Sequence, residues 1–254
     1  MREVLSEGRT QYLNKALNRV ADLALDEKDY PTAIQYFTRL ATAATSRRES
    51  SNAQLGLLRA TFASGDFNKS RQLATDLLAA GNATLNATNT ALLIRAKSSL
   101  GLGQYAQGIQ ELRATTAAAS DENGAEAQYL LAEAQFQQKN YKEALAEAFK
   151  VNQTYGAYQR WVGYTFLLLA DVYAAQGEVY QAKGTLESLI NQKFPLADIV
   201  AEARRKLANL EGSGKTTEGG GDGGANSGAN PSGKTRRATK AADPNADPAP
   251  ADTK

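Results

Sequence analysis

The chain has 254 residues and contains neither histidine nor cysteine. Without histidine there is no Ser-His-Asp triad and no imidazole base. Without cysteine there is no thiol nucleophile, disulfide, iron–sulfur cluster or Cys-bearing zinc site. Catalysis would have to rest on carboxylates, lysine, tyrosine or hydroxyls. An excess of either charge is also missing: 29 basic and 27 acidic residues leave a net +2. No global field therefore attracts nucleic acid or an anionic membrane. Long apolar runs are absent too. The longest uncharged stretch, 77–94, is 18 residues long and carries Asn82, Thr84, Asn86, Thr88, Asn89 and Thr90, so it does not span a bilayer. The opening Met1-Arg2-Glu3-Val4-Leu5-Ser6-Glu7 shows no apolar core of a signal peptide. The expectation is either a cytosolic protein or a piece of a longer one.

Proline is sparse, and four of its six residues fall after position 211, together with nine of the 21 glycines. The stretch 212–254 holds no Val, Ile, Leu, Met, Phe, Tyr or Trp. It has nothing to bury against the entropy of ordering and reads as a disordered tail. Gly212-Ser213-Gly214-Lys215-Thr216 at its start mimics the end of a phosphate-binding loop. Asn209 stands where that motif needs its first glycine, and a helix pattern rather than a strand precedes it. The motif is rejected.

What the chain has in plenty is alanine, 46 residues, and much of it is periodic. Lys28-Asp29-Tyr30, Gly65-Asp66-Phe67, Gly103-Gln104-Tyr105, Lys139-Asn140-Tyr141 and Gly177-Glu178-Val179 share one local pattern. Their anchors at 30, 67, 105, 141 and 179 lie 36 to 38 residues apart. Three residues after each anchor stands a small residue: Ala33, Ser70, Gly108, Ala144 and Ala182. Nine before each stands Ala21, Leu58, Ala96, Ala132 or Ala170. A helix, a tight turn and an antiparallel helix account for this spacing, with small residues where the two helices cross. Leu58 is the exception and predicts a splayed second hairpin. One hairpin cannot bury both faces, so neighbours stack into a solenoid. The expected helices are 10–27, 31–45, 51–64, 68–80, 87–102, 106–117, 123–138, 142–154, 159–176 and 180–192. A last amphipathic helix at 196–210, after Pro195, suits a C-terminal cap.

The pattern resembles the tetratricopeptide repeat (TPR), whose second helix matches Tyr30/Ala33/Phe37/Leu40 and Val179/Ala182/Leu186/Leu189. The period is longer than the usual 34, and the family's proline after the second helix is nearly absent. The resemblance covers about 10–211 and implies an all-α TPR-like α-α superhelix. Five repeats and a capping helix would follow a remnant of an upstream segment at 1–9 and precede the tail at 212–254. Gly124-Ala125-Glu126-Ala127-Gln128-Tyr129, Trp161-Val162-Gly163-Tyr164-Thr165-Phe166 and Gln181-Ala182-Lys183-Gly184-Thr185-Leu186 are similar to the C-terminal part of large Bacteroidota envelope TPR proteins. That likeness implies a periplasmic or outer-membrane-associated place within a longer exported chain, and leaves a cytoplasmic one open.

In a TPR array the first helix of each hairpin lines the concave face. Positions 12 and 8 before the anchor give Asn18/Asp22, Leu55/Arg59, Leu93/Lys97, Tyr129/Glu133 and Leu167/Asp171. Position 5 before it adds Leu25, Phe62, Leu100, Phe136 and Ala174. Asn18/Asp22 and Leu55/Arg59 do not make the Lys/Asn clamp of chaperone-binding TPRs. The protein-binding candidates are Arg59, Phe62, Lys97, Tyr129, Glu133, Phe136 and Asp171. A groove mixing apolar groups with acid, base, base, acid, acid suits an extended or helical segment of alternating charge. Trp161 reads as packing between the fourth and fifth repeats. Glu126, Glu133, Asp171 and Glu178 read as solvated helix faces rather than a catalytic pair. The function expected is a non-catalytic protein or peptide scaffold in envelope assembly or maintenance, with no cofactor, metal, nucleic acid or membrane span. The alternative is the helical arm of a larger enzyme whose catalytic domain lies outside this chain.

Overall fold

The structure is a computed structural model that describes residues 2–81, 83–192 and 194–215. The segment 216–254, most of the expected tail, lies outside the described residues. Among those described there are eleven α-helices and no strand: α1 (Arg2–Asp26), α2 (Tyr30–Ala43), α3 (Arg47–Ala63), α4 (Phe67–Ala79), α5 (Leu85–Gly101), α6 (Tyr105–Ala118), α7 (Glu122–Gln137), α8 (Tyr141–Thr154), α9 (Gln159–Ala175), α10 (Val179–Asn191) and α11 (Ala197–Lys215). The eleven expected helices are present. Three run further than expected by four residues or more, among them α3, which begins at Arg47 rather than 51 behind its Ser46 cap. α1 begins at Arg2 rather than near 10, over helix formers such as Glu3, Leu5 and Glu7. α11 continues to Lys215, so Gly212-Ser213-Gly214-Lys215 is helical where the tail was expected to begin.

Each hairpin turns on one backbone feature. The residue two before the anchor is left-handed in all five repeats: Lys28 (φ 62°), Gly65 (83°), Gly103 (73°), Lys139 (63°) and Gly177 (82°). That conformation closes the preceding helix in a Schellman arrangement. In the third repeat the Gly103 amide donates to the Leu100 carbonyl at 2.9 Å and the Gln104 amide to that of Ser99 at 2.9 Å. In the first two hairpins the next residue then caps the second helix, Asp29 accepting from the Thr32 amide and Asp66 from the Lys69 amide, whereas Gln104, Asn140 and Glu178 make no such side-chain bond. Ser46 accepts from the Glu49 amide at the start of α3, and Glu49 accepts in return from the Thr45 amide. Hydrogen bonds from the Thr45 amide and hydroxyl hold the Glu49 carboxyl below its usual range.

Helices pack first within hairpins, α1 on α2 through α9 on α10, and then hairpin to hairpin. The small positions are where this packing is tightest. Ala21, Ala33, Ala96, Ala132, Ala144 and Ala182 are fully buried. Leu58 is buried as well, opposite Ser70, and α3 and α4 meet more sparsely than the helices of any other hairpin. The extra side-chain volume at that crossing is the physical reason. Glycines let aromatic rings of a neighbouring element seat closely. The Phe37 ring occupies the space a side chain at Gly56 would take, and the Phe67 ring does the same at Gly101.

Not every anchor tucks in. Phe67 packs on Phe62 with ring centroids 5.6 Å apart, and Tyr141 on Phe136 at 6.0 Å. Tyr105 and Val179 are exposed instead. Odd-numbered helices contact one another along the array, whereas among the described residues the even-numbered ones do not. The odd helices thus form the inner, concave layer. α11 takes the inner place of a sixth repeat, on α9 and α10.

Candidate functional site: the inner face of the odd-numbered helices

Position 8 before each anchor produces a row of charged groups along the inner layer: Asp22 on α1, Arg59 on α3, Lys97 on α5, Glu133 on α7 and Asp171 on α9. Lys206 of α11 continues it. The structure ties two of these five, Lys97 and Asp171, to neighbouring helices. Lys97 Nζ lies 5.1 Å from the Phe62 ring centroid and 2.6 Å from Glu126 Oε1. Helices α3, α5 and α7 are joined this way by one ammonium group. Lys206 Nζ bonds both carboxylate oxygens of Asp171, at 2.6 and 2.7 Å. Arg160 bonds Asp198 at 3.0 Å, a second tie between α9 and α11.

Between these ties lies an aromatic group. Tyr129 of α7 packs on Trp161 and Tyr164 of α9, with centroids 5.6 and 5.9 Å away, and those two rings are 5.7 Å apart. The Tyr129 hydroxyl donates to Glu133 Oε1 at 3.2 Å. Burial raises the Glu133 carboxyl above its ordinary range, and the Tyr129 hydrogen bond offsets only part of that. Burial also pushes the Tyr129 phenol well up, reinforced by the neighbouring Glu133 carboxylate. At the other end, Asn18 donates to Asp22 at 2.7 Å. Burial and then Asp26 raise the Asp22 carboxyl, against Arg19, Arg59 and Asn18, which pull it down.

The seven candidates therefore differ in accessibility. Arg59 is exposed. Lys97, Tyr129, Glu133, Phe136 and Asp171 are half-buried, and Phe62 is buried under the Lys97 ammonium. Leu55, Leu93 and Leu167, expected to point inward, are buried in the core. Two of the five charges in the row are neutralised within the protein, Lys97 by Glu126 and Asp171 by Lys206. Sequence reasoning missed these two partners. They lie 29 and 35 residues from their counterparts, with no local motif to join them. Trp161 does pack between the fourth and fifth repeats, and its indole N–H is buried without a partner within the protein. A cavity of about 330 Å³ opens between α9 and α11, lined by Asp171, Ala174, Leu186, Lys206 and Leu210 among others. No group of three or more carboxylates able to hold a metal occurs among the described residues.

Family models of the tetratricopeptide repeat match residues 93–151 and 164–196. The chain carries tetratricopeptide repeats. Among solved structures, a tetratricopeptide repeat protein from Parabacteroides merdae superposes with a TM-score of 0.58 at 16% identity, over 81% of this chain and 76% of that one. A thermophilic TPR protein of Thermus thermophilus gives 0.55 at 14% identity, over 78% and 98%. BtubC from P. vanneervenii gives 0.54 at 13%, over 87% and 99%. The likeness is one of fold: a TPR solenoid. No curated protein matches the chain. Among the described residues no helix is long and apolar enough to cross a membrane.

Proposed function

We propose that this protein is a non-catalytic scaffold that holds a protein or peptide segment along the inner face of its TPR array, in bacterial envelope assembly or maintenance. The TPR fold is commonly a protein-interaction fold. The observation that carries the binding reading is the continuous strip from Asp22 and Arg59 through Phe62, Lys97, Tyr129 and Glu133 to Asp171. Each odd helix supplies one turn of it. Because Lys97 and Asp171 are already paired, recognition rests on aromatic and hydrogen-bonding contact with a segment of low net charge, and less on long-range attraction. The envelope setting is supported by the sequence likeness of segments 124–129, 161–166 and 181–186, in the fourth and fifth repeats, to envelope TPR proteins.

The binding site is tested by selecting peptides against the full chain and mapping the bound one by NMR or hydrogen exchange. Protection centred on α3, α5, α7 and α9, with at least about a tenfold loss on Arg59→Glu or Glu133→Arg, is the expected result. A footprint confined to the even-numbered helices would refute it. Fractionation of cells expressing the full reading frame tests the location, and recovery from the cytosol alone would remove the envelope role.

A further inference from the structure

The first helix exposes a face that every later repeat buries. Seven residues before the anchor, Ala60, Ser98, Ala134 and Val172 are buried. Fourteen before it, Ala53, Ala91, Ala127 and Thr165 are buried too. They pack on the preceding even helix: Ala60 and Ala53 beside Phe37 and Leu40, Val172 beside Ala144 and Ala148, and Ser98 bonded to Ser70 at 2.6 Å. In the first repeat the same register places Leu23 and Ala16, with Val20 and Leu13 completing the stripe. Leu13, Val20 and Leu23 are 51%, 39% and 42% exposed, and Ala16 is exposed beside them.

Three observations identify what covers this face. Every even helix of another copy is already covered by the odd helix that follows it, so no copy offers the usual partner. The exposed side of α11 carries Arg204, Arg205 and Glu211, so head-to-tail stacking would bury charge. Thirdly, α3, α5 and α9 begin twenty residues before their anchors, whereas α1 begins twenty-eight before Tyr30. A preceding hairpin joined by the short turns seen elsewhere would have to turn where α1 is still helical. What remains is α1 itself. Its stripe at 13, 16, 20 and 23 has the alternating three-and-four spacing of a coiled-coil seam. In an antiparallel pair this stripe is self-complementary: Leu13 meets Leu23 of the second copy, and Ala16 meets Val20 of the second copy.

We infer that the protein forms a two-fold symmetric dimer through an antiparallel α1 pair. The interface is isologous and closes on itself, so it makes dimers and not fibres. Four apolar layers fall short of the ~800 Å² per partner of a standard interface, which places the pairing among weak, reversible ones.

Sedimentation equilibrium of the full chain from about 10 µM to about 1 mM reads this directly. The expected result is a monomer that becomes a dimer over that range. Val20→Glu and Leu23→Glu should each raise the dissociation constant at least about tenfold. Both positions are exposed in the monomer, so its melting temperature at low concentration should stay unchanged, which separates loss of pairing from loss of fold. Since the native chain has no cysteine, pairing direction is read by oxidising a mixture of Leu13→Cys and Leu23→Cys proteins. A disulfide between the two variants is expected. A chain monomeric at the highest concentration leaves this face to some other helix and overturns the proposal. So does a dimer indifferent to Val20→Glu, or a cross-link formed only within each variant alone.

Discussion

The five turns supply an internal experiment on backbone conformation. Lys28 and Lys139 occupy the left-handed position that Gly65, Gly103 and Gly177 occupy in the other repeats. A side chain in that region costs about 1–2 kcal/mol relative to glycine, and the freedom glycine loses on folding returns about 0.5–1 kcal/mol of that. Lys28→Gly and Lys139→Gly should therefore each stabilise the fold by about 0.5–1 kcal/mol. Both lysines are exposed, so no core is uncovered. The two turns lie in separate hairpins and their effects should add, to about 1–2 kcal/mol. For an array of this size that is a rise in melting temperature of about 2–8 °C, followed by circular dichroism. The reverse change supplies the control. A side chain built at Gly65, Gly103 or Gly177 meets nothing within 4 Å, so Gly→Ala there tests conformation without crowding, and each should lose about 1 kcal/mol. If Lys→Gly destabilised, or Gly→Ala were neutral at all three turns, the left-handed turn would not be the element that sets hairpin stability.

Other outcomes follow from particular contacts. Burial raises the Glu133 carboxyl above the 4.5 of a free glutamate, so ionising it costs stability as pH rises from the unfolded value through the folded one. Glu133→Gln should melt higher than the native chain at about pH 7, and thermal melts across pH should show the gain vanish below about pH 4.5. Glu111 holds Arg71 at 3.2 Å, Arg95 at 3.6 Å and the Ser99 hydroxyl at 2.6 Å. Glu111→Ala removes the acceptor of Arg71 on α4 and Ser99 on α5 and the counter-charge of Arg95, and should cost about 1–3 kcal/mol in urea unfolding, more than Glu111→Gln. Gly56→Val drives a branched side chain into the Phe37 ring and should cost about 1–3 kcal/mol by the same measurement.

The hairpins were legible because their determinants are local and repeated. A left-handed turn residue, a cap, and small residues nine before and three after the anchor recur often enough to fix the helices and their pairing. The sparse second hairpin could be read from Leu58 alone. The inner face was legible only as positions. Nothing in sequence tells Lys97 that Glu126 of the next repeat will neutralise it, because that depends on how far one hairpin rotates against another. The same holds for Asp171 and Lys206. The solvated reading of Glu126, Glu133 and Asp171 gives way: neighbouring helices supply an ammonium to Glu126 and Asp171, and Tyr129 of the same helix supplies a phenol to Glu133. Tyr105 and Val179 stay exposed because, unlike Phe67 with Phe62 and Tyr141 with Phe136, they have Leu100 and Ala174 rather than an aromatic ring five residues before the anchor.

The absence of contact between even-numbered helices among the described residues, set against continuous contact between the odd ones, makes the array behave as a leaf spring. Its unbroken line of contact runs along the inner layer, and each outer helix is seamed to the inner helix that follows it but not to the next outer helix, so the outer helices spread or close only as those seams pivot. Bending therefore changes the curvature of the inner face while preserving its helix-to-helix register. The Phe62–Lys97–Glu126 and Asp171–Lys206 ties lie along that inner layer. A long bound segment would sense curvature chiefly through the spacing between those two clamps, so a strain applied at either end of the chain can be transmitted as a change in grip.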